Sequence, residues 1–218
     1  MVGIIREADE KEAAGGMDRI AKTLFKPIYP VIAANAIKEA GVREGICIDA
    51  GSGPGSLAIA MAGYPGFRVY ALDHSPASNE IAEKNIEEAG LSERVTVVNG
   101  SVEEIPLESG IADLVVSRGS IFFWEDYNGA FSEIERVLKP GGRSYIGGGF
   151  GNAELRDTIV AEMIRRKPEW EKKYKRNMSK DMKNTLIEAA AGLKDCKARC
   201  IDDETGLWII LEKTVKVS

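Results

Sequence analysis

A glycine-rich turn between two acidic residues holds the side chains best suited to bind a ligand. The turn has the sequence DAGSGPG, in which Asp49 ends an apolar run and glycines follow at positions 51, 53 and 55. Such a turn leaves the main chain bare at the carboxyl edge of a parallel sheet, where the next helix offers N–H groups to an anion. A second acid, Asp73, ends the next apolar run, a place from which a carboxylate can accept both hydroxyls of a ribose. The pattern predicts a nucleotide-like ligand.

The glycine spacing distinguishes between two kinds of nucleotide. A dinucleotide fingerprint requires G-x-G-x-x-G, with alanine tolerated last, whereas this chain has Ser56 at the sixth position and the spacing G-x-G-x-G. Asp49 would crowd a pyrophosphate but could attract a positive group. We therefore expect a ligand with a cationic end, and an NAD(P)-binding oxidoreductase is the alternative.

Strand-like and helix-like segments alternate around this turn. We predict five strands that end with or near polar residues, at 46–49, 67–73, 94–99, 112–117 and 143–148, and helices at 76–89 and 127–138. This alternation is typical of a doubly wound, Rossmann-like α/β fold with a parallel sheet. Two final runs, 197–201 and 207–215, are close enough to form a hairpin whose last strand is antiparallel. We expect about seven strands in total.

The chain divides into four segments of one predicted domain, 1–218. An N-terminal helical cap (16–41) precedes the binding core (42–150), a helical insertion (151–185) and a C-terminal helix with the hairpin (186–218). Residues 1–15 are polar and expected to be frayed. The cap is predicted to form two helices that end at Gly41, and it either packs on the core or covers the pocket with Tyr29 facing inward.

Charge and cysteine content exclude several classes of protein. The 29 Lys and Arg against 34 Asp and Glu give a net charge of -5, which argues against a nucleic-acid partner. The three cysteines, Cys47, Cys196 and Cys200, form no C-x-x-C pattern, so we expect neither a metal site nor disulfides. This cysteine content favours a location in the reducing cytoplasm. No segment has the pattern of a signal peptide or a membrane span.

The order of five motifs resembles the class I S-adenosylmethionine-dependent methyltransferases, in the branch that includes quinone and sterol methyltransferases. The resemblance covers residues 46–150 and rests on DAGSGPG, Asp73, GSVEEIP, ADLVVSRGS and RVLKPGG. It implies an enzyme that transfers a methyl group from S-adenosylmethionine. The fourth strand is followed by SRGSIFFWED and not by an N-P-P-Y type sequence, which favours a small-molecule acceptor over a nucleobase or a glutamine.

The resemblance also implies which residues contact the cofactor. The methionyl and ribose portions would lie against Asp49, Gly51, Ser52, Gly53 and Gly55. Asp73 would bind the ribose hydroxyls, and His74 would lie beside the adenine. Many members place an aspartate after the third strand, whereas this chain has Ser101 there, so we expect Ser101 and the Val102 backbone to contact the adenine. Arg118 would reach the cofactor with its backbone, bind a substrate anion, or pair with a surface carboxylate.

Methyl transfer from a sulfonium needs an aligned acceptor and no metal, so few catalytic residues are obligatory and none is assigned here. His74 is expected to lie beside the adenine and is less suited to act as a catalytic base. The aromatic residues Phe122, Phe123, Trp124 and Tyr127 either contact the acceptor or pack, and Asp126 is the expected helix N-cap.

The insertion contains ten Lys and Arg against six Asp and Glu. These cations form either a solvated helix face or a basic cover that attracts an anionic acceptor. A non-catalytic S-adenosylmethionine-binding protein and a methyltransferase for macromolecules remain as alternatives.

Overall fold

The computed structural model describes the backbone of residues 2–215 and the side chains of residues 8–215. Within this range, seven strands form one sheet: β1 (Gly45–Ala50), β2 (Phe67–Asp73), β3 (Val95–Asn99), β4 (Ala112–Arg118), β5 (Leu138–Gly149), β6 (Cys196–Asp203) and β7 (Gly206–Lys213). Their order is β3-β2-β1-β4-β5-β7-β6, and β7 is antiparallel to both of its neighbours. The predicted fold, with an antiparallel strand in the C-terminal hairpin, is confirmed.

The helices alternate with the strands in the central part of the chain and cluster at its two ends. They are α1 (Val2–Lys22), α2 (Ile28–Ala40), α3 (Ser56–Ala62), α4 (Pro76–Glu88), α5 (Tyr127–Val137), α6 (Ala153–Arg166), α7 (Trp170–Asn177) and α8 (Lys180–Ala191). A short 3-10 turn, Ser120–Phe123, follows β4. The predicted insertion forms α6, α7 and the first half of α8.

The strand order reverses at β1, which lies between β2 and β4. In β1, Asp49 is in register with Ala71 of β2 and with Val116 of β4. Ligands of open α/β sheets bind at such a reversal, beyond the carboxyl ends of the strands. The fold therefore places the glycine-rich turn at the expected binding edge.

Two apolar clusters cover the two faces of the sheet, which explains why β1 is apolar at consecutive positions. Cys47 packs in the cluster that includes α2, α3 and α4, whereas Ile48 packs in the cluster that includes α5 and α8. Both side chains are fully buried. Cys47 is thus a core residue, as expected.

The prediction of a frayed N-terminus is wrong for residues 2–15, because α1 is continuous from Val2 to Lys22. Met1 lies outside the described residues. The helix is held against α4, where the Asn85 side chain donates a hydrogen bond of 2.8 Å to Asp18, and Ala14 and Ala21 are buried. Because α1 buries small alanines on one face only, its apolar pattern is weak. This is why its first residues were predicted to be frayed.

The second cap helix, α2, ends as predicted. Gly41 has a left-handed conformation with φ of 68°, and its N–H donates to the Ile37 carbonyl at 2.9 Å. Glycine tolerates this conformation without steric cost, which is why it often follows the last helical residue. The subdivision of the chain into one domain with four segments stays a prediction.

Candidate functional site

A cavity of about 820 Å³ opens at the carboxyl ends of β1, β2 and β4. Small-molecule sites have volumes of roughly 300–1,000 Å³. The cavity brings together nine of the ten predicted site residues: Asp49, Gly51, Ser52, Gly53, Asp73, His74, Ser101, Val102 and Arg118. The tenth, Gly55, lies outside the lining. It precedes α3 with φ of 80°, and a Cβ there would come within 3.3 Å of Ala82 on α4, so it serves helix packing.

The glycines of the turn have different roles. All have positive φ, 75° at Gly51 and 52° at Gly53, but a side chain at Gly51 would collide with Ser120. A Cβ at Gly53 would meet nothing within 4 Å. Gly51 therefore permits close packing on the loop after β4, whereas Gly53 leaves the cavity wall bare for a ligand.

Four backbone N–H groups of the turn are engaged within the protein. Those of Gly51 and Ser52 donate to the Leu72 carbonyl at 2.8 and 2.9 Å, that of Gly53 donates to Asp73 at 2.8 Å, and that of Gly55 donates to the Ser52 carbonyl at 3.0 Å. These four donors are therefore not available to an anion, whereas the prediction concerned the N–H groups at the start of the next helix, α3, of which that of Ala58 donates to Asp49. The turn is thus poorly suited to a pyrophosphate, which agrees with the spacing argument against a dinucleotide.

Asp49 is a buried carboxylate with unused hydrogen-bonding capacity. Its side chain is 1% exposed, and its Oδ2 atom has no hydrogen-bond partner in the described part of the chain. Burial raises the pKa of Asp49 to about 7; the charge of Asp73 also raises it, while the N–H of Ala58, which donates to the carboxylate, lowers it. Because burial disfavours the charged form of Asp49, this site favours a positive ligand group that would stabilise the carboxylate.

Asp73 connects the glycine turn to the start of α4. One oxygen accepts from the Gly53 N–H and the other from the Ser75 N–H, at 2.8 and 2.9 Å. Each carboxylate oxygen has a further lone pair, so Asp73 can still accept from ligand hydroxyls. The neighbouring His74 side chain is 82% exposed and lies 3.8 Å from Asp73. His74 is therefore at the rim of the cavity.

The loop after β3 forms another wall. The Ser101 hydroxyl accepts from the Glu103 N–H at 3.2 Å, which leaves its own proton available, and Val102 is buried beside it. Across the cavity, the Ser52 hydroxyl is buried without a partner among the described residues. Both hydroxyls can therefore bind a polar ligand group.

Arg118 lies at the other end of the cavity. Its guanidinium carbon is 4.6 Å from the ring centroid of Phe25 and 5.3 Å from that of Phe150. Its Nε donates to the Gly149 carbonyl at 3.2 Å. Burial lowers the pKa of Arg118, and the nearby Tyr29 raises it, but guanidinium remains charged at any physiological pH. No carboxylate among the residues with described side chains pairs with Arg118, which disfavours the alternative of a surface ion pair.

The loop between β4 and α5 is fixed by hydroxyl groups. Ser120 donates to the Ala50 carbonyl at 2.9 Å, contacts the Ser117 hydroxyl at 2.6 Å and accepts from the Trp124 indole at 3.2 Å. Phe122, Phe123 and Trp124 line the cavity, and a contact with the acceptor stays a prediction for them. Tyr127 does not line it, since its hydroxyl points to Met182 at 3.7 Å, and Asp126 caps α5 as expected.

A solved structure from Methanococcus maripaludis, a candidate S-adenosyl-L-methionine-dependent methyltransferase, matches this chain with a TM-score of 0.92. The two sequences are 50% identical, and the match covers 95% of this chain and 94% of that one. The family model described as a methyltransferase domain matches residues 48–146. The chain belongs to the S-adenosylmethionine-dependent methyltransferases. The predicted cofactor, S-adenosylmethionine, is thereby confirmed, and the unpartnered Asp49 oxygen fits its positively charged end.

Other methyltransferases match over shorter stretches. The sarcosine/dimethylglycine N-methyltransferase of Aphanothece halophytica is 37% identical over 44% of this chain and 34% of its own length. The demethylmenaquinone methyltransferase of Chlorobaculum tepidum is 32% identical over 54% of this chain and 47% of its own length. The match thus spans only a third to a half of these curated relatives.

Several residues that line the cavity of this methyltransferase were not predicted from the sequence. They come from α1 (Glu10, Ala13, Ala14 and Met17), from the segment after it (Phe25), from the end of β5 (Phe150) and from α7 and its end (Trp170, Lys173, Tyr174, Asn177 and Met178). Tyr29 of α2 also lines it, as expected for a cap that covers the pocket. A signal was present in α7, where Trp170 and Tyr174 are one turn apart among charged residues and stack at 5.1 Å.

The basic insertion has two kinds of cation. Several pair with nearby acids on the surface, as Arg165 and Arg166 do with Glu162 and Lys175 does with Glu171. Lys173 instead lines the cavity, with its Nζ 4.1 Å from the centroid of the Phe123 ring. The insertion thus includes a solvated charged face, and the attraction of an anionic acceptor by its cations stays a prediction.

The part of the chain that the structure describes contains neither a metal-binding cluster nor a helix suited to span a membrane. No cluster of three or more His, Cys, Asp or Glu side chains in this part of the chain could hold a metal ion. None of the helices that the structure describes is long and apolar enough to cross a membrane.

Proposed function

We propose that this protein transfers the methyl group of S-adenosylmethionine to a small-molecule acceptor. The observation that carries the proposal is the buried carboxylate of Asp49, whose Oδ2 lacks a partner beside the bare main chain of Gly53. The charged form of a carboxyl group buried in this way is unfavourable unless a positive group lies beside it, and S-adenosylmethionine carries positive charge at its sulfonium and amine.

The cavity suggests a role for each of the predicted site residues. Asp49, Ser52 and the turn at Gly51 and Gly53 would hold the methionyl and ribose portions, and Gly55 would support the turn from outside the cavity. Asp73 would accept the ribose hydroxyls. The adenine would lie among His74, Ser101 and Val102, and the Arg118 backbone would flank the methionyl end.

Methyl transfer from a sulfonium produces a neutral thioether, so the leaving group requires no metal ion. The protein then has to align the acceptor behind the methyl group and exclude water. The aromatic walls formed by Phe122, Phe123 and Trp124 are suited to both tasks, since ring faces also attract a cation. We propose in-line displacement and assign no general base.

Two relatives support a small acceptor. They are named for sarcosine and dimethylglycine and for demethylmenaquinone, all small molecules. The net charge of -5 and the surface ion pairs of the insertion further favour a small molecule over a nucleic acid.

The test combines binding with turnover. Calorimetric titration should show that S-adenosylmethionine and S-adenosylhomocysteine bind, whereas NADH does not. S-adenosylmethionine labelled in its methyl group should then transfer the label to at least one compound of a broad panel of small amines, phenols and carboxylic acids. Saturable binding of NADH alone would support an oxidoreductase. Cofactor binding without transfer to any acceptor would support a non-catalytic binding protein.

A further inference from the structure

We propose that the methyl acceptor carries a carboxylate and that the Arg118 side chain binds it. The inference rests on the proposed methyl transfer and names the chemical class of the acceptor. Three observations support it: the contacts of Arg118, the chamber that surrounds its side chain, and an unpartnered amide in the same cavity.

The guanidinium of Arg118 is a cation without an anionic partner in the described part of the chain. Its one hydrogen bond there is from Nε to the Gly149 carbonyl, so the two terminal amino groups remain available. The rings of Phe25 and Phe150 lie over it at 4.6 and 5.3 Å. These rings hold the guanidinium plane in place, and its free edge can bind both oxygens of a carboxylate.

The chamber around Arg118 is lined by aromatic rings. The Phe150 ring lies 6.1 Å from that of Tyr174, which stacks on Trp170 at 5.1 Å. Low dielectric strengthens the attraction between a cation and an anion that enters such a space. The chamber therefore favours a flat acceptor that carries one negative charge.

Asn177 is an independent sign of a polar ligand. The residue is 8% exposed and lines the cavity, and its Oδ1 atom has no partner within the described residues. A buried polar atom without a hydrogen bond costs free energy, and a ligand with an O–H or N–H group would satisfy it. The acceptor should thus carry a hydrogen-bond donor as well as the carboxylate.

The location of Arg118 favours the acceptor over the cofactor as the source of this carboxylate. The proposed ribose and adenine contacts, Asp73 and Ser101, follow β2 and β3, on one side of β1. Arg118 ends β4 on the other side and contacts Gly149 and Phe150 at the end of β5. The S-adenosylmethionine carboxylate is nevertheless the competing ligand, so the experiment has to separate the two sources.

The experiment uses the full chain saturated with S-adenosylhomocysteine and a pair of probes that differ in charge, 3-hydroxybenzoate and 3-hydroxybenzamide. Binding is followed by ligand-observed NMR. We expect the carboxylate probe to bind at least tenfold more tightly than the amide. Equal affinities, or no binding of either probe to the loaded protein, would overturn the inference; failure of S-adenosylhomocysteine to bind at all would instead overturn the proposed function.

Three variants assign the interaction. Arg118→Met should weaken 3-hydroxybenzoate binding at least tenfold and leave 3-hydroxybenzamide unchanged, whereas Asn177→Leu should weaken both probes. Lys172→Met removes an exposed cation of α7 that does not line the cavity, so it should change neither. Melting curves with S-adenosylhomocysteine report whether each variant folds, and the comparison of the two probes on the wild-type protein keeps the test valid if Arg118→Met does not fold.

The cofactor serves as its own control. If Arg118 binds the carboxylate of the cofactor, Arg118→Met should weaken S-adenosylhomocysteine but not methylthioadenosine, which lacks the amino-acid part. That result, with unchanged 3-hydroxybenzoate binding, would contradict an acceptor site at Arg118.

Discussion

At the level of single residues, Asp49 combines a structural cost with a proposed binding role. Its pKa is about 7 in the folded protein and 3.8 when unperturbed, mainly because it is buried. The folded state therefore prefers the protonated form, and stability is lost as the pH rises from about 4 through 7. A shift of about three pKa units corresponds to ~4 kcal/mol.

Asp49→Asn should relieve this cost, because the amide is neutral and its oxygen can still accept from the Ala58 N–H. We expect the free energy of unfolding of the variant, relative to wild type, to be higher at pH 8 than at pH 4 by about 2–4 kcal/mol. Urea denaturation at the two pH values measures the difference. An equal effect at both would show that Asp49 is not the titrating group.

Gly53 allows a test in which backbone strain is matched. Gly53 and Gly90 have φ of 52° and 68°, and a Cβ at either would meet nothing within 4 Å, but only Gly53 lines the cavity. Alanine at either position should cost roughly 1–2 kcal/mol of stability. Gly53→Ala alone should weaken S-adenosylmethionine binding, at least tenfold by calorimetry, because its methyl group occupies ligand space. Similar affinities of the two variants would show that the cofactor does not lie against this turn.

At the level of elements, α5 holds the loop that carries Ser101 and Val102. Arg136 donates to the Ile105 and Leu107 carbonyls at 2.7 and 2.9 Å and to both oxygens of Glu133. Glu133 in turn accepts from the Ile105 N–H at 2.8 Å. This cluster fixes one wall of the proposed adenine site.

Arg136→Met should destabilise the protein by about 1–3 kcal/mol and increase hydrogen exchange in residues 101–110. The hydrogen bond that Glu133 accepts from Arg136 lowers the pKa of Glu133 below 4.5, so the pair stabilises the fold above that pH. The stability that Arg136→Met loses should therefore become smaller as the solution becomes more acidic. Arg165→Met removes an exposed arginine with the same spacing to an acid, Glu162, and should cost less than about 1 kcal/mol. If the two variants lose equal stability, the Arg136 cluster does not hold the loop.

Elements with strong periodicity were predicted closely, and those with weak periodicity were not. The strand Phe67–Asp73 has the predicted limits, and the helix Pro76–Glu88 differs by one residue. The first part of α1, residues 2–15, was missed because the buried residues of this helix are small alanines and its packing depends on α4, which is distant in the chain. Propensity and pattern contain no information about such long-range contacts.

At the level of the whole molecule, the sheet brings together residues that are far apart in sequence. The residues of the proposed cofactor side could be placed in the cavity from the sequence because they follow strand ends, which always meet at one edge of a parallel sheet. The residues of the proposed acceptor side could not, because Phe25, Phe150 and Asn177 come from segments whose docking depends on tertiary packing. Arg118 was identified from its motif, but its aromatic neighbours and missing carboxylate partner were visible only in the structure.

The charge distribution of the cavity follows the same division. Asp49 and Asp73 lie at β1 and β2, where a positive cofactor is expected, whereas Arg118 lies at β4 beside the aromatic chamber. The opposite charges would orient a cationic donor and an anionic acceptor toward each other across the cavity.

The most direct test of the account is the pH dependence of S-adenosylmethionine affinity in wild type and Asp49→Asn. With a pKa of about 7, Asp49 must lose its proton to bind a cation, so wild-type affinity should fall about tenfold from pH 8 to pH 6. The variant should bind about tenfold to a hundredfold more weakly at pH 8. The pH dependence of its affinity should reflect only the titration of the amine of the cofactor, which also contributes in the wild type. The same pH dependence in both proteins, or unchanged affinity in the variant, would contradict a cofactor held by Asp49.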